Sequence, residues 1–401
     1  MINQIENFPL PNPPLCDSTN KDINIYIPKS TKGITGIDFF PPNNADLILK
    51  SPPIPLKNIL RNARYNISNI PETFTWRNGQ YDILEPPDQG ACGSCWAVSS
   101  TSALSDRFAI KYKIPNPRLS AANTLTCAST FDYTEGCKNG GSPFYAGQFF
   151  ENTGVKTETC FPYIFGNQPT ESSPCLSTLK EGCCMACCSQ DKSDSPDYWD
   201  VYKAVPGSTK CLYTWNGNIG QFEGTILAIQ QEILADGPIV TGFIVYTDFF
   251  DWYTNEAPKG SIYIHDPSKS TMEGAHAVVI VGWGVGPDPR DPTKNIRYWD
   301  LRNSWGTISG DKGYFKTAFS DDIPEESKIG IDLPVYFRDL GMYGGGAVTF
   351  LPDALPTRVT QPPTIQPPIQ LPASSSNITL IIVFCALGVI AIFLFYFFIY
   401  R

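Results

Sequence analysis

A chain of 401 residues with 42% hydrophobic content can bury a sizeable core in two or three structural units. Its formal net charge of −9 argues against nucleic acid as a partner. It carries no internal repeat, phosphate loop or dinucleotide motif, so neither a nucleotide nor any other cofactor is implied.

Residues 1–69 are rich in proline and asparagine and lack a basic start followed by an apolar core, so no cleaved secretory signal is expected. They read as a leader or an inhibitory prosegment, with a processing point near IPETF at residue 70. In DQGACGSCW at 88–96, a short polar stretch with Gly90 and Gly93 leads into Cys95. The following WAVSSTSALSDRFAIKYK has helical spacing, with Trp96, Val98, Leu104, Phe108 and Ile110 as a buried stripe. Cys95 then sits at a helix N-terminus, where unpaired amides and the helix dipole favour an anion. Such a position is expected to lower the thiol pKa and yield the attacking thiolate. Cys92 and Cys95 also form a CxxC pair, but no second CxxC lies at zinc-ribbon spacing and no thioredoxin-type unit surrounds it.

The chain has two histidines. His265, in SIYIHDPSK, stands before a proline turn and reads as a surface or rim residue. His276 opens the apolar run GAHAVVIVGWG, the mark of a buried strand, and is the expected base. In RNSWG at 302–306, Asn303 can accept from one imidazole nitrogen and leave the other facing sulfur. Trp305 would cover that bond against water. Gln89, six residues before Cys95, can donate its side-chain amide to a developing oxyanion beside the Cys95 N–H. Residues 346–377 read as a proline-rich stalk holding the folded part off a surface. Residues 378–400, ITLIIVFCALGVIAIFLFYFFIY, hold no charge over 23 positions. As a helix they would span about 34 Å, enough to cross a bilayer core.

With these motifs in place the chain resembles the papain-like cysteine peptidases, and within them the cathepsin B-like branch. CGSCW matches the C-G-[SA]-C-[WY] signature at every position. IPETFTWRNG looks like the start of a mature peptidase domain, and SALSDRFAI is similar to the cathepsin B version of the central helix. GCKNGG at 136–141 resembles the family's GCNGG, whose glycines line the wall where substrate backbone lies. The resemblance implies an α+β, papain-like two-lobed fold, a helical lobe plus a β-barrel-like lobe, over residues 70–345. It also implies Cys95 as nucleophile, His276 as general acid/base, Asn303 as orienter and Gln89 as oxyanion donor. The partners it implies are protein or peptide substrates, which Gly140, Gly141, Trp305 and Pro334 would meet in the cleft. Pro334, reached by aligning the GI pair of SKIGIDLPVYF, would favour apolar side chains second from the cut.

The departures from the family pattern carry expectations of their own. Lys138 adds a residue to the glycine motif and blurs the register of Gly140 and Gly141. Cys95 and His276 are 181 positions apart, against about 130–150 in papain, and the surplus falls in 164–222. The cathepsin B branch carries its occluding loop there, with a histidine pair for C-terminal carboxylates. No histidine lies in this segment, so endopeptidase behaviour is expected. Ten cysteines between 92 and 211 remain once Cys16, Cys95 and Cys385 are set aside. The resemblance pairs Cys92 with Cys137; it pairs Cys127 with Cys160, or each with loop cysteines. The run KEGCCMACCSQ reads as disulfides, with a zinc or iron–sulfur site as the competing reading.

Disulfides are rare in the cytosol, where a tail-anchored chain would leave its bulk. Hidden export, reduced cysteines, or assembly into a virion membrane with its own thiol oxidation would each resolve that tension. The rival to an enzyme is a membrane or virion structural or binding protein on a papain-like scaffold.

Overall fold

The computed structural model describes residues 67–128, 140–163 and 200–356, apart from short interruptions at 91, 213, 216–221, 224, 269, 334 and 338–341. The leader up to residue 66, Cys137, Lys138, the KEGCCMACCSQ run, Pro334 and the apolar tail lie outside the described residues.

The first long element is the helix α1, Cys95–Tyr112. It ends where Lys113 turns left-handed at φ 53° and gives its amide to the Ala109 carbonyl. The expected stripe of Trp96, Val98, Leu104, Phe108 and Ile110 is buried. So is the opposite side, through Ser99, Thr101, Ser102, Ser105, Asp106 and Arg107. Small hydroxyls make this possible by bonding outward: Ser99 Oγ donates to the Ala277 carbonyl at 2.9 Å, and Thr101 Oγ1 to Thr124 at 2.7 Å. Two short helices pack on α1: α2, Ala121–Cys127, and α3, Pro143–Asn152. Ser120 and Ser142 cap them, each hydroxyl accepting a first-turn amide.

Behind α1 stands an eight-stranded sheet. Its strands are β1 Phe74–Thr75, β2 Lys210–Cys211, β3 Ile239–Tyr246, β4 Ile262–Tyr263, β5 Met272–Asp288, β6 Asp291–Arg302, β7 Tyr314–Ala318 and β8 Gly346–Thr349. The spatial order is β2-β8-β3-β5-β6-β7-β4, with β1 added against β5. All pairs are antiparallel except β7 with β4. The alternation along β5 explains why AVVIV is apolar throughout. Ala277, Val279 and Val281 join the core under the helices, while Val278 and Ile280 join a second core with Phe243, Phe249, Trp299 and Phe315. A strand covered on both faces has no polar side to show. At Gly282 a Cβ would lie 2.2 Å from the Phe74 carbonyl, so glycine is what lets β1 lie on β5.

Two further helices, α4 Thr225–Asp236 and α5 Thr247–Asn255, complete the second core. Strand β8 begins one residue past the expected domain end at 345, and Val348 and Phe350 are buried, so the folded unit runs into the segment read as stalk. Among the described residues no helix is long and apolar enough to cross a membrane.

Candidate active site

Cys95 opens α1, is fully buried, and is the free cysteine among the described residues. Cys92, Cys127, Cys160 and Cys211 are disulfide-bonded. Burial pushes the Cys95 thiol up to about 12, against the amides of Ala277, Trp96 and Cys95 itself, which stabilise the thiolate. The helix terminus was expected to lower this thiol. It supplies the amides, but loss of water around a fully enclosed sulfur outweighs them.

The Ala277 amide, which favours the Cys95 thiolate, belongs to the residue after His276. His276 lies on β5, fully buried, opposite Phe243 of β3. Its Nε2 stands 2.7 Å from Asn303 Oδ1. The same oxygen accepts the Ser304 amide at 2.8 Å, which fixes the Asn303 carboxamide and puts the imidazole proton on Nε2. Nδ1 is left buried without a hydrogen-bond partner. Burial pulls the imidazole down to about 4, and the Asn303 bond opposes it. The Trp305 ring stacks on His276 at 4.6 Å and 26°, and Phe243 meets it edge-on at 5.9 Å. Trp305 itself is 8% exposed, so its ring lies largely buried over the imidazole that Asn303 holds.

Gln89 reaches the same place from the other side. Its backbone amide donates to the Ser304 carbonyl at 2.9 Å, and Ser304 Oγ donates to Gln89 Oε1. Its Nε2 donates to the Cys92 carbonyl at 3.0 Å, leaving a second N–H on the same nitrogen. The NSWG segment therefore orients both His276 and Gln89, a double role that the sequence reading gave to neither Ser304 nor the loop. Asp88 and Trp305 form a β-bridge that closes the junction. Gly140 and Gly141 are buried at the entry to α3, and Gly140 holds φ 74°, where a side chain would be strained.

His265 is a correction. It is 3% exposed, not a rim residue. Its ring stacks on Tyr246 at 3.7 Å, and Nδ1 lies 3.2 Å from Asp248, which also accepts from Tyr263 at 2.9 Å and the Asp266 amide at 2.9 Å. The proline turn predicted the bend correctly; the burial came from Tyr246 and Asp248, distant in sequence and without a local pattern. Tyr163 is a second residue that sequence reasoning missed. Its hydroxyl donates to the Gln89 carbonyl at 2.9 Å and lies 2.5 Å from Ser94 Oγ. The CFPYI segment around it has no chemistry-bearing spacing.

No metal-ligating group of three or more His, Cys, Asp or Glu side chains occurs among the described residues. Residues 70–333 match the papain family cysteine protease profile. A cathepsin B-like cysteine proteinase 4 of Caenorhabditis elegans is 33% identical over 260 residues, 63% of this chain and 71% of the relative. A cathepsin B-like protease 1 of Arabidopsis thaliana is 34% identical over 231 residues, 57% of this chain and 52% of the relative. The solved procathepsin B S9 of Trypanosoma congolense superposes with a TM-score of 0.50 at 23% identity, covering 83% of this chain and 87% of the other, and shows the fold.

Proposed function

The chain belongs to the papain family of cysteine proteases, and on that premise we propose that Cys95, His276, Asn303 and Gln89 hydrolyse peptide bonds through a thioester acyl-enzyme. The observation that carries this reading is the His276 ring. One nitrogen is held by Asn303 at 2.7 Å, and the other is buried without a hydrogen-bond partner, on the residue that precedes the Ala277 amide favouring the Cys95 thiolate. An acceptor kept dry and without a partner is a base able to take a proton.

Burial favours the uncharged thiol and imidazole when each is taken alone. In the proposed reaction the proton moves from sulfur to Nδ1, and the attraction between thiolate and imidazolium offsets part of that penalty. The sulfur attacks the peptide carbonyl, and the resulting oxyanion takes the Cys95 amide and the second Gln89 N–H. The Nδ1 proton passes to the leaving amine as the C–N bond breaks, giving a thioester. Water, deprotonated by His276, then releases the acid and restores the thiol. Asn303 keeps the ring aimed throughout, and Trp305 keeps water from its bond.

Cys95→Ala should leave a folded protein with no turnover of an internally cleavable, end-blocked peptide, while the wild type cuts it. Wild-type turnover in the variant, or wild-type cleavage confined to C-terminal dipeptides, would overturn the endopeptidase reading. Residues 378–400 are proposed as a membrane anchor on their uncharged length. On isolated membranes, alkaline carbonate should fail to extract the full chain and should release one lacking 378–400; extraction of both would remove the anchor.

A further inference from the structure

Ser94 occupies the N-cap position of α1, where a serine hydroxyl ordinarily accepts an amide of the first turn. Here it makes no such bond. Its Oγ lies 2.5 Å from the Tyr163 hydroxyl instead. Tyr163 has one proton, which it gives to the Gln89 carbonyl at 2.9 Å, so Ser94 is the donor to the phenol oxygen. Ser120 and Ser142, at the same position of α2 and α3, both cap in the usual way. The exception is the helix that begins with the free thiol.

We propose that Tyr163 is a positioning residue for the Cys95 site, holding Ser94 away from the end of α1 so that the first-turn amides remain for the sulfur and the oxyanion. One phenol hydroxyl then serves both halves of the attack: it diverts the cap on one side and anchors the Gln89 backbone on the other. The amides of Cys95 and Trp96 stabilise the thiolate as this arrangement requires. A Ser94 hydroxyl free to rotate would compete for the N–H groups at that end. The titratable groups acting on the phenol are Asp88, Cys95 and Glu158, and Tyr163→Phe leaves the Asp88 and Glu158 carboxyls in place. The proposal rests on Cys95 being the nucleophile.

The test is the pH profile of Cys95 alkylation by iodoacetamide in the full chain, read beside kcat and KM. Tyr163→Phe keeps the buried ring and should move the profile to higher pH, with kcat lower by about tenfold and KM within about twofold. Adding Ser94→Ala to Tyr163→Phe should return the profile toward wild type, because alanine cannot cap. Ser94→Asn, a strong capper in a chain that keeps the phenol, should displace it in the same direction as Tyr163→Phe. A merely structural tyrosine would lower stability without moving the profile. A Tyr163→Phe profile superimposed on wild type overturns the proposal, as does one that Ser94→Ala leaves displaced. Should Tyr163→Phe not fold, an unmoved Ser94→Asn profile overturns it alone. Turnover retained in Cys95→Ala would instead remove the catalytic reading beneath it.

Discussion

At the level of single residues, Cys95 and His276 share a problem: both are fully buried, and burial drives each toward its neutral form. The depressed imidazole has a sign that can be checked once the sulfur is gone. Between about pH 4, where folded His276 titrates, and its ordinary 6.5, the unfolded chain binds a proton that the native site refuses. Stability linked to this group is therefore complete above 6.5 and is lost as pH falls toward 4. In Cys95→Ala, NMR should find His276 titrating well below 6.5, with about 3 kcal/mol of stability lost across that window. A midpoint at or above 6.5 would show that water reaches the ring. That Cys95 opens a buried helix, that His276 lies on a buried strand and that Asn303 holds its ring was legible in CGSCW, GAHAVVIV and RNSWG, because local backbone context and residue type specify them. Tyr163, Ser304 and the burial of His265 were not. Each depends on partners 69 or more positions away, 215 away, or on a stacked tyrosine.

Among elements, α1 is held by two adjacent charges that point to different neighbours. Asp106 pairs with Arg302 at 2.7 Å, both fully buried, and also takes the Leu84 amide and Asn116 Nδ2. Arg302 ends β6 and directly precedes Asn303, so this bridge sets the helix that carries Cys95 against the strand end next to the residue that holds His276. Arg107 turns the other way, to Glu232 on α4, the carbonyls of Gly237, Pro238 and Phe350, and Thr349 on β8. Burial raises the Asp106 carboxyl, with Arg302 as the main opposing influence. Asp106→Asn leaves a buried guanidinium uncompensated, and urea unfolding should show about 3–5 kcal/mol of lost stability. A loss under 1 kcal/mol would mean the pair is held together by its surroundings rather than the reverse. The helix itself was legible from its spacing. Its burial on every side was not, since seven serines, threonines and charges between 99 and 107 read as a solvated face until their partners are known.

For the molecule as a whole, the two cores meet along β5, whose alternate side chains enter one and the other. The sequence read this strand as buried, and that held. It did not reveal that β8, after the expected domain end, closes the sheet between β2 and β3. A Cβ at Gly345 would lie 2.1 Å from the Gly330 carbonyl, so this glycine marks a close crossing of backbones just before β8. The helix bearing Cys95 is thus packed against α2, α3 and both cores, with every residue from Cys95 to Ile110 buried. Catalytic competence and global cooperativity are consequently one property in this enzyme: along a denaturant titration, loss of turnover and loss of tryptophan signal should coincide, leaving no folded but inert species in between.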